Sequence, residues 1–349
     1  MLTLGIETSC DETSVSVTRG VKVLSNIVTS SVHLHKKYGG VVPEIASRYH
    51  VEFIIEVLKA ALKSSKKDLD DMKLVAVTNG PGLVGALLVG ISLAKSISYS
   101  LGLPIIGVNH ILAHLYSSFL NPVRKKFSNG VNESDKPKFP FVGLVVSGGH
   151  TALFHCERVG RERLLGQTQD DAVGEAYDKV AKLLGLGYPG GPVIEKMARQ
   201  AKGLNKINFP KSYLGKDSLD FSFSGIKTAV LYYVNKLRIT HYALRITDIA
   251  DICRAFQEAA LDVLVEKAIL AGRITDCSRI VAGGGVAANT RLREKLGAAC
   301  EFSSMNLHFP ELKYCLDNAA MVGALGEELY RLGLKSDLYL SAEPNLNIS

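Results

Sequence analysis

Apolar and polar positions alternate from the first residues onward. Residues 2–7 form a short apolar run, Thr8-Ser9-Cys10-Asp11-Glu12-Thr13 is a polar turn, and residues 14–18 resume the alternation of a strand. Arg19-Gly20 interrupts the pattern, and residues 21–28 predict a third strand. The period then changes. Ile45, Val51, Ile54, Ile55, Val57, Leu58 and Leu62 recur at close to a helical period, which predicts a helix over residues 44–64. A buried strand at 74–78, a Gly80-Pro81-Gly82 turn and a helix from 84 to about 100 follow. Gly85, Ala86, Gly90 and Ala94 give this last helix a small-residue face, suited to close packing either by a partner or within its own lobe.

The middle of the chain repeats the opening. Residues 141–146 predict a strand, Ser147-Gly148-Gly149-His150 a turn, 151–156 and 163–168 two further strands, and 174–184 a helix. Much later, 279–282 reads as a strand running into Gly283-Gly284-Gly285, with a helix from 287 to about 296. Two such copies predict an α/β protein of two duplicated lobes. The expected limits are 1–108 with 318–349 for the first lobe and 109–317 for the second. Helices at 224–237 and 248–271 fall in a helical insertion of the second lobe, at about 190–275. Residues 121–138, rich in Lys, Asn, Ser and Pro, predict an exposed loop.

Composition narrows the class. The chain has 349 residues, 47% hydrophobic and 21% charged, which is ample for a buried core and excludes wholesale disorder. The longest uncharged stretch, 74–94, approaches the length of a membrane span, but the Thr78-Asn79-Gly80-Pro81-Gly82 turn breaks it near its start. A soluble protein is the expectation. The opening residues carry no basic region and reach Glu7 at once, unlike a secretory signal. Cys10, Cys156, Cys253, Cys277, Cys300 and Cys315 are scattered and form no CxxC pair, which argues against a disulfide framework or zinc ribbon and for the reducing cytoplasm. The net charge of +7 is compatible with a polyanionic partner without proving one. Lys36-Lys37, Arg48, Arg124-Lys125-Lys126, Arg161 and Arg163 fall in turns, helix starts or loops, where they can reach phosphates.

Three turns rich in Gly, Ser and Thr can present backbone N–H groups to anionic oxygens: 8–13, 146–151 and 283–285. Each alone is equally a tight turn that needs glycine; at equivalent places in two lobes they point to a nucleotide. No GxxxxGK[ST] motif occurs, which excludes a P-loop NTPase. In His110-Ile111-Leu112-Ala113-His114 the imidazoles share one helix face and can reach one metal ion, or are partly exposed residues at a helix start. Asp317, at the start of an apolar helix, is either a third ligand or an N-cap. A peptidase of the HExxH type requires Glu at position 111, which is Ile.

Longer strings resemble the TsaD family of tRNA N6-adenosine threonylcarbamoyltransferases. They are Gly5-Ile6-Glu7-Thr8-Ser9-Cys10-Asp11-Glu12-Thr13, Gly39-Gly40-Val41-Val42-Pro43-Glu44, Gly80-Pro81-Gly82-Leu83, Asn109-His110 to His114 and Val146-Ser147-Gly148-Gly149-His150-Thr151. The same holds for Gly174-Glu175-Ala176-Tyr177-Asp178-Lys179, Tyr188-Pro189-Gly190-Gly191-Pro192, Phe221-Ser222-Phe223-Ser224-Gly225-Ile226-Lys227-Thr228, Gly284-Gly285-Val286-Ala287-Ala288-Asn289 and Asp317-Asn318. They occur in order over nearly the whole chain. His150, where archaeal and eukaryotic relatives usually carry Asn, resembles the bacterial branch.

This resemblance implies the two-lobed actin, hexokinase and Hsp70 superfold. It also implies transfer of a threonylcarbamoyl group from threonylcarbamoyl-adenylate to the exocyclic amine of the adenosine just 3′ of the anticodon, in tRNAs reading codons that begin with A. His110, His114 and Asp317 are the implied ligands of one divalent ion, Fe2+ ahead of Zn2+. Val145, Val146, Ser147, Gly148, Gly149, Asp178, Gly191 and Asn289 are the implied substrate residues. Asp178 is otherwise an exposed helix acid, and Gly191-Pro192 a helix start with proline first. The implied partners are tRNA, a TsaB-like paralogue and a TsaE-like ATPase, with contact through the helices at 44–64 and 84–100. Asp11 or Glu12 is the candidate proton acceptor. A kinase of the same superfold and a non-catalytic scaffold paralogue are the competing classes; the histidine pair argues against both.

Overall fold

A computed structural model describes residues 1–121, 124–126, 132–134, 136–203, 207–215, 217–240 and 245–347, with backbone alone at 124–126, 132–134 and 240. The chain opens with β1 (Thr3–Glu7), β2 (Glu12–Arg19) and β3 (Lys22–Ser30), joined as an antiparallel meander. Then come the short α1 (Val32–His35), the long α2 (Pro43–Ser65), β4 (Leu74–Gly80), α3 (Val84–Leu101), β5 (Ile105–Asn109) and α4 (His110–Tyr116). β4 lies parallel to β1 and β5 parallel to β4, giving the order β3-β2-β1-β4-β5. Residues expected as an open loop include a small antiparallel ladder of β6 (Arg124–Lys126) and β7 (Asn132–Ser134).

A second five-stranded sheet repeats this order. It comprises β8 (Phe141–Val146), β9 (Thr151–Arg158), β10 (Arg161–Gln167), β11 (Arg279–Gly283) and β12 (Asn306–His308), arranged β10-β9-β8-β11-β12. β8 is antiparallel to β9 and parallel to β11, as β1 is to β2 and β4. Between β10 and β11 the chain forms α5 (Val173–Leu183), α6 (Gly190–Ala198), α7 (Ser224–Thr240) and α8 (Ile246–Ile274). α9 (Thr290–Phe302) precedes β12, and α10 (Ala319–Arg331) follows it. The duplication expected from the sequence is therefore present as two sheets of one topology. The helix expected from residue 287 begins instead at Thr290, after a 3-10 turn at Gly285–Ala288.

Every residue of β1 and β4 is buried, as in central strands covered on both faces. Successive residues of β1 face opposite ways: Gly5 lies against α10, Ile6 against α3. A Cβ on Gly5 would fall on the carbonyl oxygen of Ala319, so glycine is what lets α10 lie this close to the sheet. Leu4, Ile6, Val15, Val17, Ile54, Leu58, Val75, Val77, Leu87 and Ile91 share one apolar core. By length and composition α3 could cross a membrane, but Ala86, Leu87, Gly90, Ile91, Ala94 and Ile97 are buried within this unit. Of the two uses open to its small-residue face, the structure takes packing within the lobe: Gly90 meets Thr8 and Gly85 meets Ser47.

By compactness the chain divides into Met1–Phe139 with Glu157–Glu162 and Pro310–Ser349, and Pro140–Cys156 with Arg163–Phe309. These limits differ from the expected 1–108 and 318–349: residues 109–139 and 310–317 go with the first unit. The reason is local. α4 continues directly from β5 and packs against α10, which itself lies on β1, β2 and β4. Beyond α10 the chain returns to the same sheet, where Ser336 N donates to Ile105 O (3.0 Å), Glu343 N to Asn79 O (2.7 Å) and Gly82 N to Pro344 O (3.1 Å).

Candidate metal centre

In the first unit, β5 stops at Asn109, whose side-chain oxygen accepts hydrogen bonds from Ile111 N (2.9 Å) and Leu112 N (3.2 Å). This cap starts α4 on His110, so His114 stands one turn later on the same face. Both rings are buried, with centroids 4.6 Å apart, rather than partly exposed. Asp317 does not cap α10. Asn318 does, accepting from Met321 N at 3.1 Å, and the Asp317 carboxylate turns to the histidines instead. Asp317 Oδ1 lies 3.1 Å from His114 Nε2 and 3.6 Å from His110 Nε2, and the ligand atoms of the three residues fall within 4.8 Å of one another.

These residues fit a divalent ion. Both ring nitrogens of His114 are buried and make no hydrogen bond among the described residues, an arrangement a metal at Nε2 would relieve. Carboxylates crowd the same place. Burial alone would lower His110, but Asp317 and Glu7 overrule it and raise it to about 9. Burial, then Asp11 and Asp317, push Glu12 well above the carboxylate range. Burial works to raise Glu7 too, yet His110 holds it below its ordinary value. The site attracts positive charge, and two imidazoles with one carboxylate suit iron or zinc while leaving positions open.

Glu7 joins this centre without a motif of its own to mark it in the sequence. Fully buried at the end of β1, it accepts from Ser9 N (2.6 Å) and Thr78 Oγ1 (2.5 Å) and lies 3.1 Å from His110 Nδ1. The signal available was an acid inside an otherwise apolar buried strand, which must be paired. Asp11 sits in the turn that follows, and Glu12 is the first residue of β2 beyond that turn. His50 of α2 braces it, with Nε2 2.9 Å from Cys10 O and Nδ1 2.7 Å from Thr13 Oγ1. Ser31 N donates to Asp11 O at 2.9 Å. Thr8 and Ser9 are buried and Ser9 N is committed to Glu7, so this half of the turn does not offer its N–H groups outward as expected.

In the second unit, the expected substrate residues gather at the ends of β8 and β11 and on the helices that follow. Val145 and Val146 are buried in β8. Ser147 N donates to His150 O (2.8 Å), and Ser147 Oγ accepts from His150 N (3.1 Å), leaving Gly148 and Gly149 exposed at the tip of the turn. Gly284, at φ +97, lies against the backbone of Val146, which brings the two glycine turns together. Asp178 Oδ1 accepts from Gly190 N at 2.6 Å, so this acid caps α6; α6 begins at Gly190 and Pro192 is its third residue. Nothing lies within 4 Å of a Cβ position on Gly191. Asn289 caps α9 through Leu292 N (2.9 Å) and donates to Gln257 Oε1 (3.0 Å). Asp170, also not anticipated, accepts from Ser222 Oγ, Ser224 Oγ (both 2.6 Å) and Phe223 N (2.8 Å), holding the Phe221-Ser222-Phe223-Ser224 string at the start of α7. A cavity of about 860 Å³ bordered by Glu195, Gln257, Glu258, Thr290 and Arg291 lies beside Asn289.

Lys36, Lys37, Arg48, Arg161 and Arg163 are exposed, and Arg161 pairs with Glu157 at 3.1 Å. The side chains of Arg124, Lys125 and Lys126 lie outside the described residues.

The family model for TsaD, tRNA N6-adenosine threonylcarbamoyltransferase, matches residues 22–324. A tRNA N6-adenosine threonylcarbamoyltransferase of Dictyoglomus turgidum is 47% identical, over 99% of this chain and 98% of its own length. One from Thermosipho africanus is 45% identical over 100% of both chains. Among solved structures, full-length HypF in its phosphate- and nucleotide-bound form aligns with a TM-score of 0.58 at 14% identity, over 95% of this chain and 46% of that one. The activator of 2-hydroxyisocaproyl-CoA dehydratase from Clostridium difficile with bound ADPNP aligns with a TM-score of 0.52 at 15% identity, over 97% and 99%. These two likenesses concern the fold, which is the duplicated α/β superfold of actin, hexokinase and Hsp70.

Proposed function

The chain belongs to the TsaD family and is a tRNA N6-adenosine threonylcarbamoyltransferase; from that premise we propose how it works. The donor is threonylcarbamoyl-adenylate, and the acceptor is the exocyclic amine of the adenosine just 3′ of the anticodon in tRNAs reading codons that begin with A. The amine nitrogen attacks the carbamoyl carbonyl. A C–N bond forms, the bond from that carbon to the phosphate oxygen breaks, AMP leaves, and one amine proton goes to a base.

The observation that carries the reading is the convergence of His110 and His114 Nε2 on Asp317, with no other partner for His114 among the described residues. When bound there, a divalent ion, Fe2+ ahead of Zn2+, supplies Lewis acidity toward the carbonyl or orients the donor. Glu12 or Asp11 accepts the amine proton, and the surroundings that raise Glu12 favour it as the acceptor. Val145, Val146, Ser147, Gly148 and Gly149 bind the donor through the backbone at the end of β8, and Asp178, Gly191 and Asn289 line the same ligand.

The partners are tRNA, a TsaB-like paralogue and a TsaE-like ATPase, in the cytoplasm. Val51 and Ile55 of α2 and Val84 and Leu88 of α3, all exposed, form the apolar face on which the paralogue docks. The deciding experiment incubates the purified chain with threonylcarbamoyl-adenylate and unmodified tRNA, with and without those partners. Absence of transfer with all partners present overturns the proposal.

A further inference from the structure

The two imidazoles of the metal centre are not equivalent. His114 Nδ1 has no hydrogen-bond partner among the described residues. His110 Nδ1 faces Glu7 Oε2 and Ser9 Oγ, each at 3.1 Å. Glu7 in turn is held from two sides, by Ser9 N on Oε1 (2.6 Å) and Thr78 Oγ1 on Oε2 (2.5 Å), and is fully buried. An ionised carboxylate only accepts hydrogen bonds, so Nδ1 must carry a hydrogen, and Nε2, on the Asp317 side, is the nitrogen that gives up its proton to an ion.

We propose that Glu7 is a positioning residue that makes His110 the anchoring ligand of the centre, by fixing the hydrogen on Nδ1 and aiming Nε2 at the ion. The inference rests on the metal reading above. His114, with no such brace, is the adjustable ligand. A carboxylate behind a metal-bound imidazole raises its basicity and fixes its orientation, and its loss weakens metal binding about ten- to a hundredfold.

Glu7→Gln is a sharp test because the surroundings dictate how the amide sits. Ser9 N–H requires an oxygen at the Oε1 position, which sets the amide NH2 at the Oε2 position beside His110. That NH2 donates to Nδ1, moves the ring hydrogen to Nε2 and removes the lone pair a metal needs. Thr78→Val leaves the carboxylate in place but frees it to turn, and has a smaller effect in the same direction.

Co2+ is titrated into the full chain and into Glu7→Gln, Thr78→Val and His110→Ala, following the d–d absorption, and 15N NMR of the Zn2+-loaded chain reads which His110 nitrogen holds hydrogen. The expected result is hydrogen on Nδ1 in the parent chain and a Co2+ affinity about ten- to a hundredfold weaker in Glu7→Gln. Unchanged affinity in Glu7→Gln, or ligation of His110 through Nδ1, overturns the role of Glu7 while His110→Ala still abolishes binding. Full Co2+ binding by His110→Ala instead overturns the metal reading itself. Should Glu7→Gln fail to fold, Thr78→Val carries the test, and unchanged affinity there overturns the proposal.

Discussion

His114 Nε2 stands 3.1 Å from Asp317 Oδ1, joining a ring on α4 to a carboxylate just ahead of α10. No described residue hydrogen-bonds that ring, and the approach exists because Asn318 takes over the capping of α10. One divalent ion per chain, iron or zinc rather than magnesium, is the expected content. Elemental analysis of the His110→Ala/His114→Ala double variant should find that ion lost.

Glu12→Gln should lower the transfer rate about a hundredfold or more, the usual cost of removing a general base, with metal content unchanged. Asp11→Asn, measured in the same assay, tells which of the two accepts the proton. Parent-like rates in both variants would remove this turn from the chemistry.

Docking of the paralogue should depend on the outer face of α2 and α3 and not on the small residues beneath. Val51 and Leu88, 65% and 50% exposed, can be changed together to Glu with little effect on folding. Size-exclusion chromatography should show that double variant monodisperse yet no longer bound to a TsaB-like protein. Gly90→Leu behaves differently, because its side chain would press into Thr8 and Ile6; overpacking of this kind costs about 1–3 kcal/mol and should appear as a lower melting temperature.

Affinity for tRNA should fall steeply with salt, as expected when lysine and arginine displace counterions from phosphates. Arg124→Glu/Lys125→Glu/Lys126→Glu should weaken binding and flatten the salt dependence without changing metal content, as should Lys36→Glu/Lys37→Glu/Arg48→Glu. Filter binding at several salt concentrations checks both.

Acid should weaken the second unit through Glu258. Burial would raise this carboxyl, but Arg291 and Lys295, at 2.7 and 2.6 Å, hold it at about 2. A folded value below the unfolded one means stabilisation that is present above the unfolded carboxyl pKa and lost as pH falls toward 2. Because the group is partly exposed, screening limits the effect to about 1 kcal/mol. Urea unfolding at pH 7 and pH 3 should show a smaller acid loss in Glu258→Gln than in the parent chain.

Much of this architecture was legible from period and punctuation. β8 ends where the apolar run ends at Val146, and α2 and α3 follow their apolar spacing to within a residue or two. The histidine pair was legible because residues four apart on a helix share one face. Contacts between distant segments were not. Glu7 reads only as an acid closing a short apolar strand until Thr78, Ser9 and His110 are seen around it. Asp317 and Asn318 are both good caps in sequence, and only the approach of α4 decides which caps and which ligates. The small face of α3 offers close packing without naming the neighbour, which proves to be Thr8, just past the end of β1.

The first unit is assembled from stretches on either side of the second, with α10 lying on β1, β2 and β4. A ribosome making this chain releases His110 and His114 long before Asp317. Until α10 emerges, the inward faces of Gly5 and Ala76 have no cover and the two imidazoles lack their carboxylate. A nascent chain paused within the second unit therefore holds a complete sheet with one face uncovered, and a stalled product truncated there carries at most two of the three ligands for an ion.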